Sequence, residues 1–230
     1  MKMFRQALAA VWGITALLAA APAHADLVLS ELIVELQPGK QVRDDIEIWN
    51  NSPERAFVAI EPREILNPSL PSQSMRQDPD PEKLGILVSP ARMILEPGQR
   101  KLVRIAALST SPDHERVYRV TVKPVVGVIQ SESSGLKVLL GYDVLVLVRP
   151  AQAAASVIGF RSGRTLTFEN KGNVSVEIVD GRQCAAVHTQ CTQLPGKRLY
   201  AGASWTVELQ SDVPAEYTLK SPGHADRRTF

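Results

Sequence analysis

Apolar residues recur at every second position through most of the chain after Asp26, and almost nowhere at the three- and four-residue spacing of a helix. Period-two alternation marks a strand with one buried face. It predicts strands over Leu27–Leu36, Asp45–Trp49, Ala56–Glu61, Ile86–Val88, Met93–Leu95, Lys101–Ala106 and Val117–Pro124. Turn chemistry separates them: Pro38-Gly39, Asn50-Asn51-Ser52-Pro53, a Pro-rich polar stretch from Asn67 to Pro81, and Glu96-Pro97-Gly98. A second series follows at Val157–Phe160, Leu166–Glu169, Val174–Val179, Arg198–Tyr200, Trp205–Leu209 and Tyr217–Lys220. Between the two lie Arg149-Pro150 and the small-residue linker Ala151–Ala155. Proline lacks an N–H and restricts the residue before it, so the first unit ends there. The pattern predicts an all-β chain of two sandwiches, one over residues 26–150 and one over 151–230.

One segment departs from simple alternation. Leu136–Val148 is largely apolar on both of its side-chain rows: Leu136, Val138, Leu140, Tyr142 and Val144 on one, Leu139, Gly141, Asp143, Leu145 and Leu147 on the other. An antiparallel sandwich buries one row and turns the other to water, so one row here is surplus. A free edge strand can recruit another chain through its main-chain groups, with alternate side chains filling pockets. Equally, both rows can be covered within the chain, one by the core and one by the second sandwich or a loop. The pattern leaves both readings open.

Charge and cysteines narrow the setting. Lys2 and Arg5, the apolar run Ala7–Ala21 and Ala23-His24-Ala25 read as a secretory signal peptide over residues 1–25. The apolar run is too short for a membrane span, and no insertion into a membrane is expected. Removing Lys2 and Arg5 from the 26 basic residues leaves 24, equal to the 24 acidic ones, so a nucleic-acid partner has no support. In a secreted chain Cys184 and Cys191 read as a disulfide closing a short loop, in preference to a metal pair with His188 between them. The remaining histidines lie in polar, loop-like contexts, and no nucleophile elbow, His-Glu-x-x-His or Walker sequence occurs. The acidic pairs Asp44/Asp45 and Glu61/Glu64 read as solvated surface, and Asn173-Val174-Ser175 as a chance sequon. These features point away from an enzyme and toward binding.

Several motifs in order then carry a resemblance. They are Ser89-Pro90 with Leu95-Glu96-Pro97-Gly98 and Leu102-Val103-Arg104-Ile105, then Glu115-Arg116-Val117-Tyr118 through Lys123, then Leu136–Pro150 ending in Arg-Pro. With the signal peptide and the two-sandwich layout, the chain resembles the periplasmic pilus (fimbrial) assembly chaperones, the PapD-like family of two immunoglobulin-like domains set in an L. The resemblance implies a periplasmic protein that lends its G1 strand to pilus subunits lacking a last strand, and delivers them to an outer-membrane usher. It implies neither cofactor nor ATP, and a free protein that can cap itself as a dimer. The donated residues fall on Leu136, Val138 and Leu140, with Tyr142 as an extension. The interdomain salt bridge falls on Glu115 and Arg149, with Asp226 as the acid from the second domain. The family's usual basic pair, which grips the subunit's C-terminal carboxylate, is absent: its positions hold Ile33 or Val34 and Leu145. If Glu115–Lys123 runs antiparallel to the G1 strand, Arg119 lies beside Leu145 and becomes the candidate anchor, ahead of Arg104 and Lys123. The rival reading is a secreted Ig-like structural or adhesive pilus protein.

Overall fold

The computed structural model describes residues 26–108, 112–125, 139–184 and 191–230. The chain is built of strands packed as two successive sandwiches, each with its own apolar core. In the first, β1 (Leu27–Leu29), β3 (Arg43–Asn50), β8 (Arg100–Ala107) and β6 (Ile86–Ser89) make one sheet in the order β1-β3-β8-β6. The facing sheet runs β2 (Ile33–Leu36), β10 (Tyr142–Val148), β9 (Arg116–Pro124), β4 (Ala56–Leu66), β5 (Ser74–Arg76), with β7 (Arg92–Leu95) also on β4. A single helical turn, α1 (Pro81–Leu84), starts at Asp80, whose carboxylate accepts the Glu82 N–H, and ends at Gly85.

The second sandwich pairs β11 (Val157–Ser162), β12 (Thr165–Asn170) and β16 (Ser204–Glu208). Against them stand β14 (Cys191–Gln193), β13 (Val176–Cys184), β17 (Ala215–Ser221) and β18 (His224–Thr229), with β15 (Lys197–Leu199) also on β13. Its core is aromatic: Phe168 stacks on Trp205 at 5.7 Å and meets Tyr217 and Phe230 edge-on at 5.2 and 5.1 Å. Cys184 and Cys191 oppose each other on β13 and β14 and form a disulfide. His188 lies outside the described residues. Among the described residues no group of His, Cys, Asp and Glu could hold a metal, and no helix is long and apolar enough to cross a membrane.

Several elements differ from the sequence pattern: β5, β14 and the helical turn fall where it predicts loop, and three further differences have a physical reason. Leu27–Leu36 is two strands: β1 pairs with β3 in one sheet, and β2 runs parallel to β10 in the other, so the chain switches sheets near Glu31. β4 continues through Pro62, which sits where β9 is paired on one side and neither β7 nor β5 reaches on the other. β18 is polar and exposed along most of its length, so it carries no alternation to read. Glu64 is not solvated surface either. It is 4% exposed and holds Arg116 at 2.7 Å and Arg76 at 2.6 Å.

The two sandwiches share a stabilising device. Asn50 ends β3, and its amide donates to the carbonyls of Glu54 and Leu95 while its oxygen accepts the Ser52 N–H. Asn170 ends β12 and repeats the arrangement with the carbonyls of Val174 and Leu199 and the Gly172 N–H. Each asparagine also exchanges main-chain bonds with a turn whose glycine, Gly98 or Gly202, has positive φ. Asn170→Ala strands two buried carbonyls and is expected to lower the stability of the second sandwich by about 2–3 kcal/mol. The check is a urea midpoint at unchanged slope; an unmoved midpoint would show that water replaces the amide without cost.

Candidate functional site

β10 lies between β2, parallel, and β9, antiparallel. Its even row, Val144, Val146 and Val148, is fully buried in the first core, and Tyr142 packs against that core. Its odd row, Leu145 and Leu147, is buried too, in a separate cluster with Val117, Ile65 and Tyr200. Tyr200 belongs to the second sandwich. From Val144 to Val148 both rows are therefore covered within the chain. The surplus row over this stretch is the odd one, packed with Val117 and Ile65 of its own sheet and with Tyr200 of the second sandwich.

Upstream the situation reverses. β2 pairs with β10 only from Ile33 opposite Leu145 onward, so among the described residues Tyr142–Val144 has β9 on one side and no strand on the other. Leu140, on the even row, is 67% exposed. Tyr142 is held by its own domain: its hydroxyl donates to the Leu27 carbonyl at 2.6 Å. Its side chain thus closes the sandwich instead of extending the free row. Leu136 and Val138 lie outside the described residues.

The hinge is a buried polar node. Arg149, 4% exposed, reaches Glu115 with one guanidinium nitrogen and Glu35 with the other, the second at 2.8 Å. Glu115 also accepts the N–H and hydroxyl of Ser175 at 3.1 and 3.2 Å. The second sandwich supplies this hydroxyl and amide where an acid was expected. Asp226 is on β18 and pairs with Arg228 at 2.7 Å. Around the node, Asn173 donates to the carbonyls of Asp113 and Gln152 and accepts the Ala154 N–H, which ties the linker to the turn after β12. Ser175 is buried, so the sequon there is structural.

Beside the hinge, β2, β10, β9 and β4 carry Ile33, Leu145, Arg119 and Arg63 in one cross-strand row. Ile33, 45% exposed, stands opposite Leu145, while Val34 points into the core. On the other side of Leu145, in direct register, is Arg119. Its side chain is 36% exposed, donates to the Asp143 carbonyl at 3.3 Å, and holds Nε 4.0 Å from the Asp143 carboxylate. Burial pushes the Tyr200 phenol up, and the nearby charges of Arg119 and Arg198 pull it back. Arg104 faces elsewhere: it binds Asp45 bidentately at 2.8 and 2.7 Å on the other sheet and holds that carboxyl below its usual range. Lys123 is paired with Glu61 at 2.8 Å. A residue the sequence did not single out, Arg63, shares this row directly opposite Arg119. Only strand register could have revealed it.

Residues 27–154 match the family model described as pili and flagellar-assembly chaperone, PapD N-terminal domain. No curated protein matches the chain. Among solved structures, the class 5 fimbriae chaperone CfaA is 21% identical at TM-score 0.65, covering 88% of this chain and 98% of the other. A Salmonella enterica complex of the SafA pilin with the SafB chaperone gives 15% identity and TM-score 0.64 over 91% and 99%. The Acinetobacter baumannii CsuC–CsuE chaperone–tip subunit complex gives 12% and 0.59 over 89% and 98%. At these identities the likeness concerns the fold.

Arg149→Ala leaves Glu115 buried without its main partner and is expected to weaken the hinge by about 3 kcal/mol. Elastase should then cut the Ala151–Ala155 linker many times faster than in the wild type. An unchanged cleavage rate would mean that the apolar cluster around Tyr200 holds the sandwiches together alone.

Proposed function

The chain belongs to the family of pili and flagellar-assembly chaperones, and on that premise we propose that it chaperones pilus subunits by lending them the strand that continues β10. The observation that carries this reading is the even row. Val144, Val146 and Val148 fill the chain's own core, and the same row passes the end of the sandwich at exposed Leu140. A row patterned to fill one sandwich core fits the groove of a second that lacks a strand, and main-chain pairing fixes its register. Leu136, Val138 and Leu140 are the donated residues, and Tyr142 terminates the row by closing the chaperone's own core. Each aliphatic side chain inserted contributes about 1.5–3 kcal/mol when fully desolvated.

The first sandwich is the subunit-binding unit. Arg119 is the anchor for a carboxylate of the bound subunit, since it stands beside Leu145 with most of its donors free for a bidentate contact. The working location is the periplasm, reached through cleavage of the leader, and an outer-membrane usher receives the loaded subunit. Binding and release run on the exchange of one strand for another, without catalysis.

Periplasmic co-expression with candidate subunits tests this. A Val138→Asp/Leu140→Asp double variant is expected to fold yet recover at least tenfold less subunit than wild type. Equal capture by the folded variant would remove the donor-strand reading. Failure of the wild type to capture any subunit would favour an Ig-like structural or adhesive protein.

A further inference from the structure

Arg63 on β4 and Arg119 on β9 stand directly opposite each other. Like charges in that position repel, so the pair needs an anion between them. Asp143 on β10 supplies it. Its Oδ1 accepts from Arg63 Nη2 at 2.9 Å and from the Thr121 hydroxyl at 2.9 Å, and Thr121 in turn accepts from Arg63 Nη1 at 2.6 Å. Arg119 is served less well. Its Nε is 4.0 Å from Oδ2, and its one hydrogen bond goes to the Asp143 main-chain carbonyl at 3.3 Å. Two guanidiniums share one carboxylate, which leaves one positive charge in excess, and the neighbouring Lys123 is already neutralised by Glu61. A guanidinium has five N–H donors, and most of those on Arg119 are unspent.

The geometry points to a carboxylate-binding site on Arg119 that the chain's own Asp143 half-occupies, so that Asp143 acts as an internal competitor limiting how tightly an incoming carboxylate is held. This rests on the reading of Arg119 as the anchor. An arriving carboxylate takes the free face of Arg119, where Ile33 and Leu145 provide an apolar flank. It must then lie within a few ångströms of Asp143 Oδ2, and the two negative charges oppose each other. The same residue that lets two arginines coexist in the free protein weakens the hold on the ligand. A site built this way releases its ligand readily, as a carrier requires.

The test titrates the mature, isotope-labelled chain with an acetylated Gly-Val-Leu peptide ending in a free carboxylate, following arginine side-chain resonances. Its C-terminal amide and an amidated peptide carrying an internal glutamate are the other two arms. Asp143→Asn keeps the shape and the acceptor for Thr121 while removing the charge, and is expected to bind the free-carboxylate peptide roughly two- to fivefold more tightly. Asp143→Ser is a second variant with the same expected gain. The plain amide should not bind, and binding of either carboxylate form supports the site, the tighter one identifying its source. Loss of binding in Arg119→Ala with no gain in either Asp143 variant overturns the competitor and leaves the anchor standing. Undiminished binding in Arg119→Ala removes the anchor, and the competitor with it.

Discussion

The two sandwiches are joined by a buried charge pair. Arg149 and Glu115 are both withdrawn from water, and Glu115 Oε1 and Arg149 Nε have no hydrogen-bond partner. Taking two charges into an interface with incomplete satisfaction returns little net stability. What the pair does supply is direction. Glu115 accepts from both the N–H and the hydroxyl of Ser175, and those groups are aligned only in one relative orientation. The apolar cluster of Val117, Leu145, Leu147, Ile65 and Tyr200 provides the attraction, and the polar node chooses the angle at which it acts.

That division explains how a single strand serves several structures. β10 gives its even side chains to the first core and its odd ones to the second sandwich, so along Val144–Val148 every residue is spoken for. The strand cannot be withdrawn without exposing both clusters, which keeps it in place. An edge strand that carried its exposed apolar residues over its whole length would invite aggregation. Here Leu140, just before the strand, is the exposed large apolar side chain between residues 139 and 148, and Tyr142 packs inward with its hydroxyl tied to Leu27.

Much of this was legible in the sequence, and the losses have identifiable causes. Alternation located the strands that bury one face, and Arg149-Pro150 is where the first core ends. Alternation could not say which row of Leu136–Val148 faces which core, because both are apolar and parity alone carries no direction. β18 was missed because an exposed edge strand has no buried row, and the solvated reading of Glu64 failed because its partners, Arg116 and Arg76, are distant in sequence. Arg119 could be placed beside Leu145 by counting along an antiparallel pair. Arg63 could not, since that requires knowing that β4 follows β9 across the sheet and in which register.

The proposed anchor on Arg119 is intelligible on strand spacing. Neighbouring strands are about 4.8 Å apart, so moving a cation from β10 to β9 shifts its origin by less than an arginine side chain can span. Arginine also tolerates an apolar flank better than a strongly hydrated ammonium does, and its planar fork suits a carboxylate. Ile33 and Leu145 then have a consistent role. In the proposed site they would dry the spot where a carboxylate lies, and a guanidinium contact strengthens as water is excluded from it. The proposed site trades two charges near the strand ends for one charge set against an apolar wall, and the hinge node holds Tyr200 at the inner end of that wall.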